Sequence, residues 1–291
     1  AWVLGGVLAM AGAMTVAELA ANRPVSGAMY VAARETLGHR LGFVNGVVTI
    51  LVGYIAASAF IALVIGAYLE SLLPTIPPMW TALTVTILLS SLHANCLRIG
   101  TRFNDAMAAL KILILIVFAG AGLIAAPTAV SEPPSDLIAP APWSAAVGAA
   151  VVGISFAYLG WSAAADVAGE IRKPSRALPI AILGSIAIVT ILYVLVNLAF
   201  LSAIAPSAMV DPATGEPLAN IGAVAAERLF GAAIGMAMTI AILLVLLSTL
   251  STMIFAGSRV LVAMSQNAEL PATLSRTNQA ATPRLAIWEQ A

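Results

Sequence analysis

Long apolar runs separated by short polar segments dominate the pattern of this 291-residue chain. A helix needs roughly 20 residues, most of them apolar, to cross about 30 Å of hydrocarbon. The pattern predicts seven membrane-spanning helices, at 1–21, 41–69, 79–95, 106–126, 143–168, 178–204 and 232–256. The second and fifth runs exceed the required length, which predicts a tilt or a break in each. We therefore expect an all-α, polytopic membrane protein with a single transmembrane domain over 1–291.

Composition supports a membrane protein and excludes a soluble one. Hydrophobic residues make up 61% of the chain, charged residues 9%, and the mean hydropathy is +1.02. So few charges could not cover the surface of a soluble domain with this much apolar sequence. The single cysteine, Cys96, excludes an internal disulfide framework. No basic segment precedes the first run, so a cleaved signal peptide is not predicted there.

The basic residues are sorted to one side of the predicted spans. Twelve of the thirteen fall on that side: Arg23, Arg34, Arg40, Arg98, Arg102, Lys111, Arg172, Lys173, Arg176, Arg259, Arg276 and Arg284. Only Arg228 falls on the other side, whose loops carry Glu70, Glu132, Asp136, Asp211, Glu216 and Glu227. By the positive-inside rule the basic side is cytoplasmic. The prediction is a multi-pass protein of the cell (inner) membrane. Its chain starts outside the cell and ends in the cytoplasm.

Both ends of the chain resemble cuts through a larger membrane domain. The sequence begins without methionine inside an apolar run, and 283–288 resembles the start of a further membrane span. We therefore expect a fragment.

A break is predicted inside the fifth run. Gly160 lies within the stretch SFAYLGWS at 155–162, and the polar, basic segment 169–174 follows closely. In hydrocarbon, a helix is interrupted only where protein or a water-filled cavity satisfies its backbone groups. Secondary transporters use such discontinuous helices to bind substrate near the midplane. Because glycine is also common in continuous membrane helices, Gly160 alone does not decide between a break and an ordinary helix.

Lys111 and a hydroxyl cluster are candidates for ion coupling. Lys111 lies just inside an apolar run, where an ionisable residue is either functional or extends its stem to the nearby interface. The seventh span carries four hydroxyl residues near its middle: Ser248, Thr249, Ser251 and Thr252. Their hydroxyls either donate to carbonyls one turn back or offer oxygens to a cation.

Acidic and basic residues at the cytoplasmic end of the fifth run form either a surface ion-pair network or a gate. Asp166 and Glu170 are four residues apart, which places them on one face of a continuous helix. The nearby basic residues are Arg172, Lys173 and Arg176, and the first inside loop is framed similarly by Glu18, Arg23, Arg34 and Glu35. The gate residues of this hypothesis are Glu18, Asp166, Glu170 and Arg172.

Other patterns favour structural roles. His93 and Cys96 have a spacing that could share a metal, but no further ligands join them, so a packed helix end is favoured. No HExxH or GxSxG motif occurs, and no enzyme, cofactor, metal or nucleic-acid partner is predicted. Residues 221–230 predict an amphipathic surface helix rather than a gate.

Three stretches together resemble the amino-acid permeases of the amino acid–polyamine–organocation superfamily. The first is 12–20 with Pro24, Gly27, Tyr30, Arg34, Glu35 and Gly38, and the second is 156–161 with 167–174, Arg176 and 178–182. The third is 257–259 with Ala263, Met264, Leu270 and Pro271. The sequence departs from the family pattern at Ala28, Ala32 and 266–268.

The resemblance implies family helices two to eight of an incomplete inverted-repeat fold of the leucine-transporter type. It implies a broken sixth helix whose substrate-binding residues are Phe156, Ala157, Tyr158, Leu159, Gly160, Trp161 and Ser162. Phe156 would close over the substrate, nearby carbonyls would accept from its ammonium group, and Trp161 and Ser162 would line the side-chain pocket. Lys111 matches a lysine that, in some members, lies where relatives bind sodium. If it takes that place, we expect its ammonium group to point toward the seventh span, near Ser248 or Thr249. The family's first helix, which usually holds the substrate carboxylate, is not in this chain.

The implied function is secondary active transport of amino acids by alternating access, proton-coupled or by exchange. Because segment 155–162 contains no acidic residue, neutral amino acids fit better than cationic amino acids or polyamines, which are the alternative on the same fold. A non-transporting seven-helix scaffold would need no broken span. A receptor-like protein is disfavoured because Lys111 lies near a membrane face.

Overall fold

The structure, a computed structural model, describes residues 1–95, 97–125, 143–210, 220–278 and 282–291. The regular elements in these ranges are helical, and the α-helices are α1 (Trp2–Asn22), α2 (Ala28–Leu37), α3 (His39–Val48), α4 (Ala57–Leu72), α5 (Pro78–Asn95), α6 (Leu97–Ala125), α7 (Trp143–Ala157), α8 (Ala163–Asp166), α9 (Pro174–Ala203), α10 (Ile221–Phe230), α11 (Ala232–Gln266) and α12 (Arg284–Gln290). A π-helix (Thr49–Ala56) joins α3 to α4, and short 3₁₀ turns cover Ala168–Glu170, Pro206–Met209 and Ala272–Ser275. Several residues of the sequence predictions lie outside the described residues: Cys96, Ala126, Glu132, Asp136, Asp211 and Glu216.

Five helical stretches of the described chain are long and apolar enough to cross a membrane: Trp2–Asn22, His39–Leu72, Gly100–Ala125, Pro174–Ala203 and Ala232–Gln266. They overlap five of the seven predicted spans and confirm an all-α, polytopic membrane protein. The other two predicted spans correspond to α5, with 18 residues, and to α7, with 15. The count of seven spans stays a prediction.

Both overlong runs are irregular. In the second, the π-helix Thr49–Ala56 interrupts α-helical geometry between α3 and α4 without ending the helical stretch. Such widened turns often occur at functional sites. The fifth run is broken outright: α7 ends at Ala157 and helical geometry resumes at Ala163. The break predicted for 156–162 is therefore confirmed.

The chain forms two compact units. Unit 1 comprises 1–9, 109–158 and 186–244, and unit 2 comprises 10–108, 159–185 and 245–291. In unit 1, the core around Phe118 and Ala199 packs against the buried alanine face of α10, which contains Ala225 and Ala226. The helix predicted at 221–230 is present with the same bounds.

Unit 2 holds a core in which small residues allow close helix packing. Tyr30, Tyr54 and Met264 belong to one buried cluster that joins α2, the π-helix and α11. At Gly46 an added Cβ would lie 2.7 Å from the sulfur of Met264 and 2.8 Å from the ring of Tyr30. Glycine at this position therefore lets the helix approach both side chains.

Candidate functional site

The interrupted segment is built around a glycine with a left-handed backbone. Gly160 has φ 106°, a conformation that a residue with a Cβ rarely adopts. Before it, the N–H of Tyr158 is shared between the carbonyls of Ile154 (3.3 Å) and Ser155 (3.2 Å). After it, the N–H of Ala163 donates to the Gly160 carbonyl at 3.1 Å, which starts the next short helix. The chain thus leaves and re-enters helical geometry within five residues.

The predicted substrate-binding residues differ in exposure. Phe156 is 72% exposed and Leu159 is 70% exposed, and Ala157 and Gly160 are also exposed. Trp161 and Ser162 are half-buried. In unit 2, the ring of Trp161 lies beside Gly12, where an added Cβ would be 3.4 Å away. The assignment of residues 156–162 to substrate binding stays a prediction.

An aromatic cluster in unit 1 holds the end of α7. The hydroxyl of Tyr193 donates to the Ala157 carbonyl at 2.7 Å, so a backbone group freed by the break already has a protein partner. Tyr158 is buried, and its hydroxyl donates to the Trp2 carbonyl at 3.0 Å and lies 3.2 Å from the hydroxyl of Thr190. The rings of Tyr158 and Tyr193 meet edge to face, with centroids 5.3 Å apart. Sequence reasoning missed Tyr193, because a lone aromatic in an apolar run gives no signal of a partner.

The Asp166 cluster, formed by Asp166 with Tyr54, Met29 and Gly27, lies in unit 2 directly after the break. The Asp166 carboxylate accepts from the hydroxyl of Tyr54 at 2.7 Å and from the Met29 N–H at a long 3.5 Å. Its backbone carbonyl accepts from the Gly27 N–H at 2.8 Å. Asp166 is 2% exposed. The segment that follows the break is therefore fixed to the first loop and to the π-helix.

The sequence-based placement of Asp166 and Glu170 on one helical face was wrong. Helix α8 ends at Asp166, and Val167, with φ −101° and ψ 10°, departs from α-helical geometry before a 3₁₀ turn. Glu170 pairs with Arg259 of α11, whose Nε donates to its carboxylate at 2.6 Å, and not with Arg172, which is exposed. The two carboxylates therefore belong to different contacts.

Arg259 is a buried cation, and it was not among the gate residues predicted from the sequence. It is 2% exposed, and its guanidinium lies 4.0 Å from the centre of the Phe255 ring and donates to the hydroxyl of Ser258 at 2.8 Å. The carboxylate of Glu170 and the face of Phe255 together compensate its charge.

A third set of contacts surrounds Glu269, just beyond α11. Its buried carboxylate accepts from the Tyr30 hydroxyl at 2.6 Å, from Arg34 Nε at 3.0 Å and contacts His39 Nδ1 at 2.8 Å. Burial, followed by the hydrogen bond to Glu269, raises the pKa of Tyr30 above its ordinary value, so the hydroxyl stays a donor at neutral pH. Of the predicted gate residues, Glu18 is exposed.

His93 is a buried packing residue, as favoured from the sequence. Its Nε2 lies 2.7 Å from the hydroxyl of Ser251, which donates to Asn104 Oδ1 at 2.6 Å. No group of His, Cys, Asp or Glu among the described residues has the arrangement of a metal site.

The candidate ion-coupling residues lie in different units. Lys111, half-buried in α6, belongs to unit 1, and Ser248 and Thr249 of α11 belong to unit 2. Ser248 is buried, and its carbonyl accepts from Thr252 at 2.9 Å; Thr249 donates to the Val245 carbonyl at 2.9 Å. These two threonines thus bond one turn back, as the structural alternative predicted, and the role of Lys111 stays a prediction.

Comparison with known proteins gives matches along the whole chain. The family model described as amino acid permease matches residues 1–291. The serine/threonine exchanger SteT of Bacillus subtilis is 31% identical over 284 residues, covering 93% of this chain and 60% of that protein. The human large neutral amino acids transporter small subunit 2 is 30% identical over 293 residues, covering 94% and 52%. The methylthioribose transporter of B. subtilis is 25% identical over 313 residues, covering 99% and 64%. The chain thus spans between about half and two thirds of the length of these relatives.

Proposed function

Because the chain belongs to the amino acid permease family, we propose that the full-length protein is a secondary active transporter of amino acids. It works by alternating access in the cell (inner) membrane, coupled to protons or by exchange. The basic loops face the cytoplasm, so this part of the chain enters from outside and ends inside.

The observation that carries the proposal is the break between α7 and α8. Regular helical geometry ends at Ala157 and resumes at Ala163, and Gly160 turns through a left-handed conformation between them. A helix interrupted in this way leaves backbone carbonyls and N–H groups for a substrate. The exposed Phe156 and Leu159 flank these groups with apolar surface.

Within this segment the residues have separate roles. The carbonyls of Phe156 and Leu159 accept from the substrate ammonium group, and the Ala157 carbonyl does so when Tyr193 releases it. Phe156 closes over the substrate, and Trp161 and Ser162 line the side-chain pocket.

Neutral amino acids are the proposed substrates. No acidic residue lies between 155 and 162, so a cationic side chain would lack a counter-charge there. The names of two relatives, a serine/threonine exchanger and a large neutral amino acids transporter, agree with this choice.

Uptake by the full-length parent in proteoliposomes tests the proposal. A panel of labelled neutral, cationic and acidic amino acids, measured under imposed proton and sodium gradients, should give saturable uptake of neutral amino acids. The absence of uptake for every class, in correctly folded protein, would contradict transport. Uptake of cationic amino acids alone would contradict the neutral specificity.

Gly160→Ala tests whether the break carries transport. A Cβ at φ 106° adds on the order of 1–3 kcal/mol of backbone strain, which disfavours the observed turn. We expect uptake to be lost while the protein still reaches the membrane. Gly153→Ala is the matched control, because Gly153 lies within α7 with open space around its Cβ position. Equal loss in both variants, or in neither, would contradict the role of the break.

A further inference from the structure

Asp166 is a buried carboxylate with few partners. Its carboxylate accepts from the Tyr54 hydroxyl at 2.7 Å, and the next contact, from the Met29 N–H, is 3.5 Å long. No ion pair of the described residues includes Asp166, although it is only 2% exposed. A buried carboxylate without a cation is costly in its charged form, and intramembrane carboxylates commonly mark proton pathways.

The charged groups on the elements packed around Asp166 either contact other residues or are exposed. On α11, Arg259 pairs with Glu170. On α2, Arg34 and the hydroxyl of Tyr30 contact Glu269. On α1, Glu18 is exposed, and Glu35 of α2 pairs with Arg23. Arg172 and Lys173 after the break and Arg176 of α9 are exposed. The π-helix contributes the phenol of Tyr54, which donates to Asp166 directly. Described side chains on these elements thus leave the Asp166 charge without a counter-ion.

We propose that Asp166 binds and releases the coupling proton of the transporter, with Tyr54 as its positioning partner. This inference rests on the proposed function and names its coupling ion. In the ionised state, the Tyr54 O–H donates to the carboxylate. In the protonated state, the carboxyl O–H becomes a donor, and the Tyr54 oxygen is able to accept from it. The proton adds to one carboxylate oxygen and leaves from it, so no other reactant is needed.

Protonation also changes how the segment after the break is held. The Met29 N–H contact is stronger while the carboxylate is charged than when it is neutral, so a neutral Asp166 holds the start of α2 less strongly. The backbone bond from Gly27 to the Asp166 carbonyl does not depend on charge, so the loop stays attached. Gly27 itself has φ 63° and packs against α11, where an added Cβ would lie 2.7 Å from the Ala263 Cβ. The charge of Asp166 therefore adjusts one contact at a junction of α2, α8 and α11.

The test uses the full-length parent and two measurements. In proteoliposomes, Asp166→Asn should lose accumulation driven by a proton gradient but retain counterflow exchange, which needs no net proton movement. In infrared titrations of purified protein, the spectrum of the wild type minus that of Asp166→Asn should show the C=O band of one protonated carboxyl as the pH falls, so this band should be absent in the variant although those of other carboxyls remain. Asp105→Asn is the matched control, because Asp105 is exposed on α6 of the same unit.

Tyr54→Phe supplies a second test if Asp166→Asn fails to fold. Removing the O–H donor destabilises the charged carboxylate, so the infrared midpoint and the pH profile of uptake should both move to higher pH. Gradient-driven accumulation by Asp166→Asn, persistence of the band, or an unchanged midpoint in Tyr54→Phe would overturn the proposal. If the wild type transports without dependence on protons, the inference fails and the proposed function stands. If the wild type transports no amino acid, the proposed function and the coupling role both fail.

Discussion

The charge of Lys111 is a residue-scale feature with two opposed interpretations. If Lys111 takes the place of a bound cation, Lys111→Ala in the full-length parent should abolish uptake or its pH dependence and leave expression intact. The reason is that an ammonium group with three N–H donors would organise hydroxyl and carbonyl oxygens that a methyl group cannot bind. The measurement is uptake of a labelled neutral amino acid over a range of pH.

Lys111→Met separates charge from packing in the same assay. Methionine keeps an apolar stem of similar length but removes the ammonium group, so a coupling role predicts the same loss as in the alanine variant. Normal transport with an unchanged pH profile in both variants would favour a lysine that only extends to the interface.

The partner of Glu170 illustrates what residue spacing cannot predict. A four-residue separation from Asp166 indicated a shared helical face, but the helix ends at Asp166 and the partner is Arg259, 89 residues further along the chain. Local sequence contains no information on such a pair, because the packing of α11 decides it. The break at Gly160 was predictable only from several local features together: the glycine, the polar, basic segment 169–174 that follows it, and the family resemblance of this stretch.

At the scale of elements, the packing of α4 against α5 depends on Gly66. An added Cβ would lie 2.3 Å from the carbonyl oxygen of Pro78, which is main chain and cannot rotate away. We expect Gly66→Ala to destabilise the protein by about 1–3 kcal/mol through overpacking. The measurement is the thermal unfolding midpoint of the purified full-length protein.

Gly184→Ala is the matched control for this prediction. Gly184 lies within α9, and no atom approaches its Cβ position within 4 Å. Since alanine favours helix over glycine by roughly 1 kcal/mol, this variant should be as stable as the wild type or more stable. A Gly66→Ala protein with the unfolding midpoint of Gly184→Ala would show that α4 and α5 are not packed as described.

Hydropathy predicted the membrane-length runs better than it predicted helix ends. Helix α6 begins at Leu97, nine residues before the predicted span, and α11 continues to Gln266, beyond 256. These extensions carry charged residues such as Arg102 and Arg259, which hydropathy counts against a span although they are compatible with a helix. The π-helix at Thr49–Ala56 was predictable only as an excess of length, because one extra residue per turn leaves no compositional mark.

At the scale of the whole molecule, the sorting of basic residues predicts a topology. Residues Glu70 and Arg176 are both exposed in the structure and fall on opposite sides of the predicted membrane. In a cysteine-free background of the full-length parent, which includes Cys96→Ser, Glu70→Cys should react with a membrane-impermeant maleimide in intact cells. Arg176→Cys should react only after permeabilisation, because loops rich in Lys and Arg lie on the cytoplasmic side by the positive-inside rule. The control is a permeant maleimide, which should label both variants in intact cells. Labelling of both positions by the impermeant reagent before permeabilisation would contradict the topology, and with it the cytoplasmic placement of the segment that contains Asp166 and Glu170.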